Sequence, residues 1–284
     1  MLDLSAAATA IELAQWGLMA VGLGLIAFWY LAPQLQGLRR QPAPLPAWDA
    51  PLIDTLLACW VPVCAVLVGS LAAGTVARQL GLETADGWVS VLSVVGFQGA
   101  VIVATVGFAL YRRSVGRPLP PLGRTPPASA TDRLLLGAAT FLVALPLVSA
   151  ASLTATAALE FLGLPVVPQD LANLFVSTKS APLLLGLTFM AIVVAPLGEE
   201  LIFRAGVFRL ARQFLPRWAA LLLSAVAFAS LHLSAVHFLP LVVLGIIFAL
   251  AYEKTGSLLV PVVAHGLFNL NSILRLLAGL GVEP

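Results

Sequence analysis

The strongest constraint in this sequence is where its charges are missing. Between successive Asp, Glu, Lys and Arg residues, charge-free runs cover 13–38, 55–77, 87–111, 134–159, 180–198, 218–252 and 255–274. A helix needs about 20 apolar residues to cross a hydrocarbon core of about 30 Å. Six of the runs therefore read as single spans. The run 218–252 would be about 52 Å long as one helix, too long for one crossing. It holds Pro240 and the polar group His232, Ser234 and His237, so it is expected to divide near 234–239 into two short helices. The first of these borrows residues from the Arg217 side. The expectation is an all-α, polytopic membrane protein with about eight transmembrane helices. Composition agrees: hydrophobic residues are 60% and charged residues 10%, against about 45–50% and 25% in soluble domains. Water-soluble enzymes and disordered linkers are excluded. The net charge of +2 calls for no nucleic acid, and the first partner is the lipid bilayer.

Orientation follows from Lys and Arg alone. In chain order the nine segments outside the eight spans hold 0, 2, 1, 5, 1, 4, 0, 1 and 1 of them. The even-numbered segments total 2 + 5 + 4 + 1 = 12 and the others 3. Both termini are thus expected outside, with the loops around Arg39–Arg40, Arg112–Arg133 and Arg204–Arg217 in the cytoplasm. A chain opening with Asp3 and Glu12 lacks the basic start of a cleavable signal. An Ala/Leu-rich, Lys-poor chain of this kind reads as a multi-pass protein of a cell membrane, by composition a bacterial inner membrane.

Three regions are expected: three spans in 1–115, a cytoplasmic proline-rich linker at 116–130, and five spans in 131–284. Residues 116–128 carry five prolines and cannot be helical. No internal repeat is evident, which removes the usual support for a transporter built from inverted repeats. Asp54, just before an apolar run, reads as a helix N-cap. Cys59 and Cys64 lie about 140° apart on one helix and cannot bridge; both read as small buried apolar residues.

The informative chemistry lies between residues 198 and 270. The fifth span ends in APLGEELIFRAG, and adjacent carboxylates at the end of an apolar helix are costly unless partnered or functional. Glu200 and Arg204 are i,i+4 on one face, where an ion pair forms well. Glu199 is rotated about 100° from Glu200 and has no charged neighbour at i+3 or i+4. Glu200 therefore has a structural task at hand and Glu199 does not, although both also fit a charge cluster at the membrane interface. Next, AFASLHLSAVHF places Phe228 and His232 at i,i+4. A single histidine there fits a hydrogen-bonded packing residue as well as a catalytic one, and His237 reads as interfacial. Finally, PVVAHGLFNLNS stacks His265 and Asn269 on one helix face, exposing polar groups that lipid cannot satisfy. Counting back to the intervening turn puts Glu199 and His232 at similar depth, within about 3 Å, and His265 about 14 Å above the turn at 253–256 on the same cytoplasmic side, so one pocket open to the cytoplasm is expected to hold them together with Asn269.

These three segments, Glu-Glu-x-x-x-Arg, Phe-x-x-x-His and His-x-x-x-Asn in that order on successive apolar helices, resemble the CAAX protease and bacteriocin-processing (CPBP) family. Its members are intramembrane proteases and include the type II CAAX prenyl endopeptidases. The resemblance covers roughly 180–275; the first 130 residues resemble nothing named. Within the first motif, Ala205 stands where the family often has glycine directly after the arginine. The resemblance implies Glu199 as the catalytic glutamate and His232 as the histidine that helps activate water. It implies His265 with Asn269 as the pair that steadies the oxyanion. Glu200, Arg204 and Phe228 are implied as structural support. The substrate implied is a membrane-associated, prenylated or leader-type peptide. The family is often described as metalloproteases, and Glu199, His232 and His265 could ligate zinc. Without an HExxH pattern or a second free carboxylate as base, no cofactor is favoured. Other readings of the same polar pocket are a non-catalytic membrane scaffold and a proton-coupled transporter relaying through Glu199 and His232.

Single cysteines placed at Ser5 and Leu122, in a chain lacking Cys59 and Cys64, are expected to react with a membrane-impermeant reagent from opposite sides. Labelling from one side contradicts the orientation.

Overall fold

The computed structural model describes residues 4–37, 45, 51–83, 86–116, 129–165 and 170–280, which form helices and the turns between them, with no strand among them. In chain order the helices are α1 Leu4–Leu31, α2 Leu52–Gln79, α3 Gly87–Ser114, α4 Ala130–Phe161, the short α5 Asp170–Ser177, α6 Ala181–Ala211, α7 Arg217–Ser230, α8 Ala235–Thr255 and α9 Leu259–Leu277. Seven of these described helices are long and apolar enough to cross a membrane. The eighth expected span is α7, which at 14 residues is about 21 Å long and falls short of crossing length. The long charge-free run breaks at Leu231–Ser234, earlier than 234–239, and Pro240 sits inside α8. Leu233 turns the chain with φ of 48°. Of the proline linker expected at 116–130, residues 117–128 lie outside the described residues. Ser129 closes its far end, accepting from Asp132 N–H while Asp132 accepts from Ser129 N–H, a reciprocal cap that starts α4.

The apolar helices pack through small residues where backbones meet. A Cβ on Gly96 of α3 would stand 2.5 Å from Gly69 O of α2, so only glycine allows this approach. Asp54 is corrected from an N-cap to an ion-pair partner. The N-cap of α2 is Pro51, and the Asp54 carboxylate meets the Arg112 guanidinium at the end of the antiparallel α3. Cys64 is exposed on α2, not buried as expected; the Cys59 side chain lies outside the described residues.

α4 is the centre of the bundle, packed against α1, α8 and α9, with Phe141, Leu145 and Val148 meeting Leu244, Phe248 and Ala264. The turn from α6 to α7 is tied to the end of α8 by Glu253. This carboxylate is fully buried and accepts from Arg217 Nε at 2.8 and 2.9 Å. Arg212 Nη1 lies 3.3 Å away. Paired arginines of this kind are the usual condition for burying a carboxylate.

Glu253→Ala leaves two partly exposed guanidinium groups without their shared carboxylate. Equilibrium unfolding in detergent should show a loss of about 1–3 kcal/mol, the range for a lost hydrogen bond to a charged group.

Candidate active site

α6 carries the two adjacent acids, and its hydrogen-bond ladder is irregular on both sides of them. Met190–Val194 and Leu201–Phe208 are π-helical, flanking a short α segment Ala195–Glu200. The first irregularity has a cause in the sequence. Ala195 N–H donates to Met190 O, five residues back. The next bond in that register would run from residue 196 to Ala191 O, but Pro196 has no N–H. Asn269 of α9 fills the place: its Nδ2 donates to Ala191 O at 2.8 Å. Close backbone approach makes this reachable, since a Cβ on Gly266 would stand 2.4 Å from Ile192 O. Segments of π-helix recur at functional sites.

Glu200 and Arg204 are both fully buried, with Arg204 Nε 3.0 Å from Glu200 Oε2. The guanidinium carbon lies 4.6 Å over the Phe228 ring and 5.5 Å over that of Phe248, and Nη2 donates to Gly245 O at 3.3 Å. Stacking between two aromatic faces suits the weakly hydrated guanidinium. The second oxygen of Glu200 receives His265 Nδ1 at 3.0 Å. Because a carboxylate only accepts, Nδ1 carries the proton and Nε2 is the nitrogen left to act. Nε2 points to Glu199, 3.7 Å from its Oε2, outside hydrogen-bond range.

Glu199 differs from its neighbour in access. Its side chain keeps 18% exposure where that of Glu200 has none. Its Oε1 receives Gln98 Nε2 at 3.4 Å, from α3. His232 lies just past the end of α7, its ring 4.9 Å from that of Phe228, which also stands 5.7 Å from the His265 ring. His232 Nδ1 bonds Phe228 O at 2.9 Å. A carbonyl cannot donate, so this proton is on Nδ1 and Nε2 is the free nitrogen. Phe228 thus touches both imidazole rings. The residues singled out in the sequence thus converge: Glu199, Glu200, Arg204, Phe228, His232 and His265 form one cluster, with Asn269 one turn beyond His265. Asn269 has one amide proton committed to Ala191. His237 is held by Ser234 at 2.8 Å. Gln98 belongs to the site although no motif spacing points to it. Its only signal is a lone amide inside a charge-free run.

Among the described residues, no three His, Cys, Asp or Glu side chains group as a metal site. His232 and His265 each have Nδ1 taken by a protein acceptor, which leaves Nε2 as the nitrogen open to a proton, a water or a metal.

Fold and cluster define a multi-pass α-helical membrane protein holding a carboxylate–imidazole site between its helices. Residues 181–271 match the family model described as type II CAAX prenyl endopeptidase Rce1-like, which bears out the CPBP resemblance for that stretch. No curated protein and no solved structure matches the chain.

Asn269→Ala and Asn269→Asp both remove the donor that serves Ala191 O. Each should lower unfolding free energy by about 1–3 kcal/mol, the range for an unsatisfied buried acceptor. Thermal stability equal to wild type in both variants contradicts this role.

Proposed function

We propose that this chain is an intramembrane endopeptidase that hydrolyses a peptide bond of a membrane-associated, prenylated or leader-type peptide in the cytoplasmic half of the bilayer. The observation that carries it is the contrast between two adjacent acids. Glu200 is locked to Arg204 and His265, whereas Glu199 is partly open, and His265 Nε2 faces its Oε2. The Rce1-like match over 181–271 supports the same assignment.

In this reading Glu199 is the general base. A water placed by Glu199 Oε2 and His232 Nε2 loses its proton to Glu199 while its oxygen bonds to the scissile carbonyl carbon. The carbonyl π electrons move onto oxygen. That oxyanion is met by His265 in its protonated form and by the Asn269 amide proton not used by Ala191. On collapse the C–N bond breaks, and the leaving amine takes the proton from Glu199. Charge counting is consistent with this shuttle. With Glu199, Glu200 and Arg204 ionised the cluster carries 1 − 2 = −1, which a single proton on Glu199 or His265 neutralises. Burial of Glu200 and Arg204 makes that proton's position matter, because charges interact strongly where water is scarce. In this reading the carboxylate and the imidazoles activate the water themselves, and no metal is favoured. A scaffold or a proton relay would need no water-activating pair beside a carboxylate oxygen left without a partner.

Purified protein in detergent should cleave an internally quenched farnesylated CAAX peptide. In H₂¹⁸O one ¹⁸O atom should enter the new carboxyl terminus. Activity should persist in 1,10-phenanthroline. Proton-coupled solute flux in vesicles without cleavage contradicts the proposal in favour of a transporter. Loss of cleavage restored by zinc would instead make Glu199, His232 and His265 metal ligands.

A further inference from the structure

Gln98 is a buried amide in the middle of an apolar helix, outside the region 181–271 that matches the Rce1-like family model. Amides at such a place are retained where they have a partner or a task. Three observations give it one. Its Nε2 donates to Glu199 Oε1 at 3.4 Å. Its Oε1 is buried with no hydrogen-bond partner among the described residues. The residue next to Glu199 is shaped around it, because a Cβ on Gly198 would stand 2.0 Å from Gln98 Oε1 and 3.0 Å from its Cδ. Gly198 thus opens a slot on α6, and the Gln98 amide fills it.

The placement also explains how α3 sits. Gly96 and Gln98 are two residues apart, about 200° around the helix. Gly96 meets Gly69 of α2, and Gln98 faces the opposite way into α6. The N-terminal spans therefore do more than fill the membrane beside the site. They bring one polar group to it.

We infer that Gln98 is a positioning residue for Glu199, delivered by the N-terminal three-span region: it occupies Oε1 and so leaves Oε2 as the oxygen presented to His265 and to the attacking water. The inference rests on the reading of Glu199 as general base. A carboxylate free to rotate about its last bond offers either oxygen in a range of directions. One fixed donor on Oε1 removes that freedom, and orientation of a base is worth rate without adding affinity. The effect should appear in kcat and leave KM nearly unchanged.

Three variants test this. Gln98→Met keeps the volume and removes the donor. Gly198→Ala keeps Gln98 but fills its slot with a methyl group, pushing the flexible amide away. The double variant Gln98→Ala/Gly198→Ala fills the slot with no amide to displace. With the quenched farnesylated CAAX peptide, Gln98→Met and Gly198→Ala should each lose about tenfold or more in kcat. KM should stay within about threefold of wild type. The double variant should match the single ones and not multiply their losses, as expected for changes acting on one contact.

A readout free of substrate accompanies the kinetics. The infrared carboxyl band that disappears in Glu199→Gln belongs to Glu199, and Gln98→Met should displace that band. Gln98→Met should also cost nothing further when added to Glu199→Gln. An unmoved Glu199 band overturns the inference, as does an unchanged kcat in Gln98→Met or a loss confined to KM. If Glu199→Gln itself keeps wild-type turnover, the reading of Glu199 as base fails. The band displacement still decides whether Gln98 holds that carboxylate.

Discussion

The buried ion pair of Glu200 and Arg204 is the contact on which the site depends. Neither charge reaches solvent, and an isolated charge at such depth is prohibitive. The protein must therefore surround both. Arg204 is stacked against the Phe228 and Phe248 rings and donates from Nη2 to Gly245 O, while its Nη1 has no hydrogen-bond partner among the described residues. Glu200 is taken up by His265. These partners come from α7, α8 and α9, so one ion pair on α6 fixes the mutual placement of four helices. The His265 ring, held by Nδ1, has one direction in which Nε2 can point. That direction is toward Glu199.

The second constraint is backbone hydrogen bonding. In an apolar surrounding every N–H and C=O must be satisfied within the protein, and Pro196 removes one donor just before the two acids. The chain meets the shortage with a π segment at Met190–Val194 and with the Asn269 amide on Ala191 O. Pro196 and Asn269 are thus complementary positions far apart in sequence. Their bond locks α9 against α6 one turn from His265, which keeps that ring in register with Glu200. Asn269 is consequently tied to the geometry of the site by one proton whatever its second proton does in the reaction.

Much of this was legible in the chain before any coordinates. Charge gaps located the crossing helices because charges are excluded from hydrocarbon, a rule that does not depend on tertiary detail. The i,i+4 spacing of Glu200 with Arg204 and of Phe228 with His232 forecast contacts that formed, since helix periodicity fixes them locally. The reverse turn falls at 231–234 and not at 234–239, because the helix continues through Pro240. Pro240 lies inside α8, where it removes one helix hydrogen bond without ending the helix, and Leu233 makes the turn with a positive φ. The partnership of Asp54 with Arg112 and of Gln98 with Glu199 depends on which helices pack together. Uniformly apolar helices carry little directional signal, so periodicity could not choose the neighbours. Cys64 shows the same effect in reverse: in lipid, an apolar residue need not be inside.

The division of labour between the two acids is tested most directly by measuring turnover and equilibrium unfolding together in Glu199→Gln and Glu200→Gln. The account predicts that Glu199→Gln unfolds like the wild type while turnover falls by at least about 10²–10⁴, the range for loss of a general base. It predicts that Glu200→Gln is less stable by about 3–5 kcal/mol, the cost of leaving half of a buried pair. A stable, inactive Glu200→Gln beside an active Glu199→Gln would reverse the roles of the two carboxylates and contradict the account.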